Sequence, residues 1–204
     1  MKLPRVYPLT DVQLSGLSHA EQARLLSLGG ASLIQLREKR MTPLEFYHHA
    51  KAAVAEHPEV RLIINDRVDI ALAAGAAGVH LGQDDMPPEA ARKLLGPRAI
   101  IGYSTHNIDQ AISAVKLPID YLAIGPIFST TTKTDTAPVL GLEGLRAVRE
   151  AIGPFPLVAI GGITHVNARD VIDNGADSVA VISAVLSQPD ITTATQTLLA
   201  ECQT

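Results

Sequence analysis

Short apolar runs recur along the whole chain and alternate with segments that carry apolar residues at helical spacing. Many of the runs are apolar at nearly every position, which is typical of strands that a parallel sheet buries on both faces. Eight such runs are present: Val6–Leu9, Ser32–Leu36, Leu62–Ile64, Gly78–Leu81, Ala99–Ile101, Tyr121–Ile124, Leu157–Ile160 and Ser178–Ile182. The pattern therefore predicts eight buried, parallel strands.

The segments between these runs are rich in Ala, Leu, Glu and Arg, and their spacing predicts helices. They include His19–Leu28, Pro43–Glu56, Pro87–Leu95, Ile108–Val115, Leu142–Ile152 and Val166–Asn174. Gly75 and Gly175 follow periodic segments, where a left-handed residue ends a helix. Thr42 before Pro43, and Asp85 shortly before Pro87, place capping side chains at helix starts.

Strict alternation of strand and helix with short connections implies a parallel sheet with right-handed crossovers. Eight such units can close into a (β/α)₈ TIM barrel, and closure removes the exposed edge strands. An open doubly wound sheet is the alternative architecture. We expect a single TIM-barrel domain over residues 1–204, because no linker or low-complexity tract divides the chain.

Composition excludes several classes of partner. The chain has 204 residues, 47% of them hydrophobic, a formal net charge of -4 and no dense Lys/Arg run, which argues against a nucleic-acid or anionic-membrane surface. Cys202 is the only cysteine, so an internal disulfide or a thiolate metal cluster is excluded. Without a signal-like or membrane-spanning run, we expect a cytoplasmic protein; its oligomeric state, a homo-oligomer included, is left open.

Polar residues follow nearly every apolar run, at the end of a barrel where the βα loops carry the chemistry. Gln35, Arg37 and Lys39 fall on one face of a strand because strand side chains alternate. Two cations pointing into a barrel need a polyanionic ligand, whereas a solvated strand end needs none. Both interpretations are open at this point.

Two aspartates follow neighbouring strands and are the best metal candidates. Mg²⁺ takes one or two carboxylates and completes its octahedron with water and substrate phosphate, which Asp66 and Asp85 would suit. Both also precede helical segments, so plain helix N-caps are the alternative, and Asp84 could replace Asp85.

Three later loops are suited to anionic oxygens. Gly161 and Gly162 follow the seventh run and Ser183 follows the eighth, which is the usual phosphate site of a barrel. The loop from Thr130 to Lys133 offers hydroxyls and an ammonium group. A tight turn and a soluble connector are the respective alternatives. Two anion sites indicate two phosphorylated substrates, or one long one.

Two histidines lie near these loops. His80 falls within a buried run, which favours a hydrogen-bonded core role, whereas His106 at a strand end suits a ligand contact or a proton carrier. No nucleophile with an obvious base partner is present, which argues against covalent catalysis.

The motifs together resemble the thiamine phosphate synthase family, in order and across nearly the whole chain. The segments that carry this resemblance are Gln35–Lys39, Ile64–Arg67 with Asp69, Gly78–Asp85, Gly102–His106, Gly125–Lys133 and Ala159–Ile163. The resemblance implies a (β/α)₈ barrel that joins 4-amino-5-hydroxymethyl-2-methylpyrimidine diphosphate to 4-methyl-5-(2-phosphoethyl)thiazole with Mg²⁺. Thiamine phosphate and diphosphate would be the products.

The resemblance also implies roles for individual residues. Asp66 and Asp85 would ligate Mg²⁺, and Arg37, Lys39, Ser104 and Lys133 would act on the departing diphosphate. The pyrimidine diphosphate would be bound by Gln35, Leu36, Arg37, Glu38, Lys39, Asn65, Ser104 and Lys133. The thiazole phosphate would be bound by Thr130, Thr132, Gly162, Ile182 and Ser183.

The implied reaction is dissociative, because loss of diphosphate leaves a resonance-stabilised pyrimidine-methyl cation that the thiazole nitrogen attacks. It needs positioned charge and no general base. A thiazole tautomerase of the same fold, with His106 as proton carrier, is one alternative. A non-catalytic barrel that binds thiamine phosphate or phosphosugars is another. Retention of Asp66, Asp85 and Lys133 favours the synthase.

Overall fold

The strands and helices of a computed structural model alternate along the chain, and the structure describes residues 1–130 and 137–203. Strands β1 to β8 are Val6–Pro8, Leu33–Leu36, Arg61–Asn65, Gly78–Leu81, Ile100–Thr105, Tyr121–Ile124, Leu157–Ile160 and Ser178–Val181. Helices α1 to α10 are Val12–Ser15, His19–Leu28, Pro43–Glu56, Val68–Ala74, Pro88–Leu95, Ile108–Ala114, Gly141–Ile152, Ala168–Asp173, Ser183–Leu186 and Ile191–Gln203. Within the described ranges, no helix is long and apolar enough to cross a bilayer.

All eight strands lie in one parallel sheet that closes on itself. The order runs from β1 through β8 and then down to β2. The seam between β1 and β2 is joined by a parallel bridge between Leu9 and Gln35, and Thr10 N donates to the Gln35 carbonyl at 2.8 Å. The predicted (β/α)₈ barrel is confirmed, and the open doubly wound sheet is wrong.

The fifth strand is longer than its apolar run. The run ends at Ile101, yet β5 continues to Thr105, with Ser104 paired to Ala123 and Thr105 to Ile124. Polar residues remain in the strand because their side chains find partners on the neighbouring strands: Thr105 Oγ1 donates to the Ala123 carbonyl of β6 at 3.0 Å. Ser104 is thereby held on a rigid strand, and not on a loop.

Helix starts differ in how well capping chemistry predicted them. Thr42 forms the expected capping box with Glu45 at the start of α3. The N-cap of α4 is Arg67 and that of α5 is Pro87, and neither end has a side-chain cap. The predicted capping role of Asp85 is therefore wrong, and so is the N-cap alternative for Asp66.

The last helix, α10, was not among the helices read from periodicity. Its sequence is rich in threonine, which has a weak intrinsic helix propensity. Packing decides here, since Ile191, Thr195, Leu198 and Cys202 are buried along one side of the helix. The Cys202 thiol is thus part of the core, and burial raises its pKa to about 11.

Candidate active site

Two neighbouring cavities open at the carboxyl ends of the strands. The larger, called the polar cavity, has a volume of about 410 Å³. The smaller, called the loop cavity, has a volume of about 190 Å³ and is formed mainly by the loops after β6, β7 and β8. Ser104, His106, Ile160 and Ala180 line both. The two cavities are therefore halves of one cleft.

The described candidate site residues divide between these two cavities. The polar cavity is lined by Gln35, Arg37, Lys39, Asn65, Asp66, Asp85 and Ser104. The loop cavity is lined by Ser104, Thr130, Gly162, Ile182 and Ser183. Thr132 and Lys133 lie outside the described residues, so their places stay predictions.

Arg37 is held in position by an aspartate from the first βα loop. Its Nη1 lies 3.1 Å from Oδ2 of Asp11, and both side chains are mostly buried. The other oxygen of Asp11 accepts from the backbone N–H groups of Gln13 and Leu14 and so caps α1. A carboxylate fixed by a helix start in turn fixes the guanidinium at the rim of the cavity.

Lys39 and Asp66 face each other across the ends of β2 and β3. Nζ of Lys39 donates to Oδ2 of Asp66 at 2.6 Å. Asp66 itself has φ of +62°, a left-handed conformation that is uncommon outside glycine, and its backbone N–H donates to the His80 carbonyl at 2.8 Å. This backbone turns the carboxylate into the cavity and away from the start of α4.

Asp85 lies in a turn after β4, where its Oδ2 accepts from the backbone N–H of Gly82 at 2.6 Å. Burial raises the pKa of Asp85, the Gly82 hydrogen bond opposes this, and the negative charge of Asp66 raises the pKa further. The two carboxylates therefore act on each other electrostatically. Asp84 is exposed and lines the same cavity.

Two residues of the Gln35–Lys39 segment face away from the cavity. Leu36 is fully buried in the core. Glu38 Oε1 accepts from the backbone N–H groups of Lys39 and Arg40, both at 2.7 Å, and Oε2 lies 3.4 Å from His19 Nε2. Glu38 thus shapes the turn that carries Lys39, and the structure does not bring its carboxylate into the cleft.

A chain of polar side chains that sequence analysis missed crosses the barrel beneath the polar cavity. Gln35 Nε2 donates to the Tyr7 hydroxyl at 3.0 Å, and the hydroxyls of Tyr7 and Tyr121 are 2.9 Å apart. The Tyr121 hydroxyl is 2.9 Å from His80 Nδ1. His80 Nε2 is 2.8 Å from Ser104 Oγ.

The two tyrosines in this series of hydrogen bonds, Tyr7 and Tyr121, are protonated. Burial raises the pKa of Tyr7 and of Tyr121 well above the usual range for a phenol. A sequence signal did exist, since tyrosines inside apolar strand runs need hydrogen-bond partners when buried. The core role predicted for His80 agrees with its burial and with its contacts to Tyr121 and Ser104.

The glycine loop after β7 lies directly against the loop after β6. Gly161 and Gly162 have φ of +106° and +64°. A Cβ atom on Gly162 would lie 2.5 Å from the Ser129 carbonyl oxygen, so only glycine fits. Ser183 begins α9 beside this loop, and the first N–H groups of a helix lack intrahelical acceptors. Backbone donors are thus close enough for an anionic ligand to approach.

His106 stands where the two cavities join. Its Nδ1 lies 2.8 Å from the carbonyl oxygen of Gly125, which can only accept, so Nδ1 carries the proton. In the neutral ring Nε2 then has a free lone pair. His106 is placed to contact ligands from both cavities.

Comparisons with known sequences agree on one activity. The model of the thiamine monophosphate synthase family matches residues 6–185. A thiamine-phosphate synthase from Koribacter versatilis is 50% identical over 197 residues, which cover 93% of this chain and 92% of that protein. One from Chloroflexus aurantiacus is 47% identical over 199 residues, covering 96% and 91% respectively.

Two solved structures of thiamine phosphate pyrophosphorylases are also similar to this chain. A thiamine phosphate pyrophosphorylase from Pyrococcus furiosus matches with a TM-score of 0.87 at 39% identity, covering 98% of this chain and 97% of that one. A pyrophosphorylase from Bacteroides thetaiotaomicron, at 16% identity and a TM-score of 0.73, shares the fold.

Proposed function

The chain belongs to the thiamine monophosphate synthase family, and from this membership we propose that it joins the pyrimidine diphosphate to the thiazole phosphate. The products are thiamine phosphate and diphosphate. One observation carries the assignment of residues: the cleft has two connected cavities, one lined by Arg37 and Lys39 and the other by Gly162 and Ser183. Two phosphorylated substrates would meet where these cavities join.

The polar cavity suits the pyrimidine diphosphate. Arg37 and Lys39 bring positive charge to one wall, and Asn65 adds an amide. The guanidinium offers a planar fork and the ammonium a compact charge, both suited to phosphate oxygens. Lys133 joins them in this proposal, from the part of the chain that the structure does not describe.

Asp66 and Asp85 would hold Mg²⁺ in the same cavity. The donor set fits, because the raised pKa of Asp85 reports burial and a neighbouring negative charge that a bound cation would relieve. In residues 1–130 and 137–203, no group of three or more His, Cys, Asp or Glu side chains could hold a metal ion. Water and diphosphate oxygens would therefore complete the coordination of Mg²⁺. When bound, the ion neutralises charge on the leaving diphosphate.

The loop cavity suits the thiazole phosphate. Gly162 allows close approach of oxygens to the backbone, and Ser183 offers a hydroxyl. Thr130 lines this cavity beside them. Such a site binds through backbone N–H groups and needs few charged side chains.

The proposed substitution needs no general acid or general base. The bond between the pyrimidine methylene carbon and the diphosphate oxygen breaks, and its electron pair leaves with diphosphate. The lone pair of the thiazole nitrogen then forms the new carbon–nitrogen bond. Arg37 and Lys39 stabilise the leaving charge, and the two cavities hold the reacting atoms in line.

The test is product formation by purified protein. Both substrates and Mg²⁺ are supplied, and thiamine phosphate is measured by chromatography, with omission of each substrate and addition of a chelator as controls. We expect thiamine phosphate and diphosphate in equal amounts, dependent on both substrates. A parallel assay supplies the thiazole carboxylate phosphate alone. Its isomerisation there, with no thiamine phosphate formed from the two substrates, would replace this function with the tautomerase. Folded protein that binds but forms no product would replace it with a binding barrel.

A further inference from the structure

The buried series of hydrogen bonds that links the side chains of Gln35 and Ser104 has a defined donor-to-acceptor direction. Among the described residues, the Tyr7 hydroxyl contacts two polar atoms, Gln35 Nε2 and the Tyr121 hydroxyl oxygen. An amide nitrogen can only donate, so Tyr7 accepts from Gln35. Tyr7 is 1% exposed, and its own proton is satisfied only if it donates to Tyr121.

The same logic continues through Tyr121 to the imidazole. Tyr121 is fully buried and accepts from Tyr7, so its proton goes to His80 Nδ1, 2.9 Å away. A neutral imidazole that accepts at Nδ1 carries its proton on Nε2. That proton then points to Ser104 Oγ at 2.8 Å. Ser104 accepts from His80, and its own proton is directed elsewhere.

We propose that Tyr7 and Tyr121 are positioning residues that fix the His80 tautomer and thereby make the Ser104 hydroxyl a donor into the cleft. The proposal rests on the proposed function only for its last step, in which the acceptor is the diphosphate or another substrate atom. Ser104 lines both cavities, so its proton is available where the two substrates meet. Neither tyrosine needs to touch substrate.

The strand geometry is adapted to this chain of contacts. The rings of His80 and Tyr121 are stacked, with centroids 5.5 Å apart and planes 25° from parallel. A Cβ atom on Gly102 would overlap the Tyr121 ring and hydroxyl and would lie 2.5 Å from His80 Nδ1. Glycine at this strand position leaves room for the hydrogen bond that determines the tautomer.

The direction of these hydrogen bonds can be determined from the His80 tautomer, without measuring catalysis. In ligand-free protein with ¹⁵N-labelled histidine, the two ring nitrogens of His80 are distinguished by chemical shift and assigned by their change in Ser104→Ala. We expect a bare Nδ1 and a protonated Nε2. Gln35→Glu replaces the donor that starts the chain with an acceptor, and we expect it to move the proton to Nδ1. A proton on Nδ1 in the unsubstituted protein would overturn the proposal.

The effect on the reaction is measured by a double-mutant cycle. We expect Tyr121→Phe and Tyr7→Phe each to lower kcat on the order of 5- to 10-fold, the typical worth of one positioned hydrogen bond. In a Ser104→Ala background the same changes should have little further effect, since they act through Ser104. If the fold loss in kcat of a double variant equals the product of the losses of its single variants, the tyrosines act independently of Ser104, and the proposal is refuted.

Tyr47→Phe is the matched control. Tyr47 lies on α3, and its hydroxyl accepts from Lys51, far from this chain. It should leave kcat unchanged. If Tyr121→Phe fails to fold, Tyr7→Phe and the tautomer measurement still decide the proposal. Absence of thiamine phosphate from the unsubstituted protein would remove the proposed function, yet the His80 tautomer would still be read.

Discussion

The ammonium group of Lys39 lies 2.6 Å from the carboxylate of Asp66. Asp66 is also one of the two residues that we propose for Mg²⁺, so a protein cation already neutralises a metal ligand. A bound diphosphate would attract both Mg²⁺ and the Lys39 ammonium group, and this attraction would draw Lys39 away from the Asp66 carboxylate. Lys39 would therefore compete with the metal before the diphosphate binds and act together with it afterwards.

Lys39→Met should affect metal binding and catalysis in opposite directions. Without diphosphate, we expect metal affinity to rise roughly fivefold, the equivalent of about 1 kcal/mol for a half-exposed ion pair. With both substrates, kcat should fall by roughly 10²-fold because a stabilising charge is lost. Mn²⁺ titration followed by electron paramagnetic resonance, and steady-state kinetics, measure the two effects. Lys51→Met, an exposed change on α3, is the control.

Loss of the carboxylates should weaken metal activation. We expect Asp66→Asn and Asp85→Asn each to raise the Mg²⁺ concentration for half-maximal rate by more than about 10-fold, since even a residue behind a metal ligand commonly contributes 10- to 100-fold. Initial rates over a Mg²⁺ series measure this. The exposed neighbour Asp84 offers Asp84→Asn as control. An unchanged Mg²⁺ dependence in Asp66→Asn and Asp85→Asn would remove both residues from the metal site.

Periodicity predicted the barrel because each strand needs apolar residues on both faces, and this leaves a signal in the sequence. It did not predict α10, whose threonines form a helix only because one side is buried. It also ended β5 at Ile101, since Ser104 and Thr105 look like loop residues until their partners on the neighbouring strands are known. Tertiary contacts decide such cases, and a single sequence does not reveal them.

For the candidate site, the sequence indicated which residues lie near the cleft better than it indicated which side chains contact each other. The motifs placed Asp66 and Asp85 together, but the capping alternative was settled only when the starts of α4 and α5 were seen at Arg67 and Pro87. The contact of Tyr7 with Tyr121 spans 114 positions of sequence. Tyrosines within buried strand runs indicate that hydrogen-bond partners are needed, but not which residues supply them, so this contact could be found only in three dimensions.

Lys133 is predicted to stabilise the leaving diphosphate, and its place lies outside the described residues. We expect Lys133→Ala to lower kcat by about 10²- to 10³-fold, the usual loss for one preorganised charge-stabilising donor. Lys116→Ala removes the same charge from an exposed position before β6 and should leave kcat unchanged. Single-turnover kinetics isolate the chemical step. An unaltered rate in Lys133→Ala would exclude this role.

Gly162 should matter for binding the thiazole phosphate as well as for backbone conformation. Its φ is +64°, and that of Gly75 at the end of α4 is +72°, so alanine costs roughly 1–2 kcal/mol of conformational strain at either position. A Cβ atom at Gly75 would meet nothing within 4 Å, whereas at Gly162 it would meet the Ser129 carbonyl. We expect Gly162→Ala alone to raise the KM for the thiazole phosphate. Equal KM values in the two variants would contradict the assigned phosphate site.

A second buried histidine lies behind the turn that carries Arg37 and Lys39. His19 is fully buried, its Nδ1 is 2.7 Å from Thr10 Oγ1, and its Nε2 is 3.4 Å from Glu38 Oε2 without hydrogen-bond geometry. Burial lowers the pKa of His19 to about 4, although the Glu38 charge opposes the shift. His19 is therefore mainly neutral in the folded protein above about pH 4.

This lowered pKa should make the protein less stable as the pH falls. The unfolded chain takes up a proton on His19 near its ordinary pKa of about 6.5, whereas the folded chain does so only near 4, so stability is lost between these values. From pH 7 to pH 5 the contribution is about 2 kcal/mol. We expect His19→Gln to reduce the pH dependence of the free energy of unfolding in urea by about this amount. The exposed His48, changed to Gln, should leave the dependence as it is. If the two variants lose stability equally with acid, His19 titrates as a solvent-exposed histidine does, and the neutral buried state is excluded.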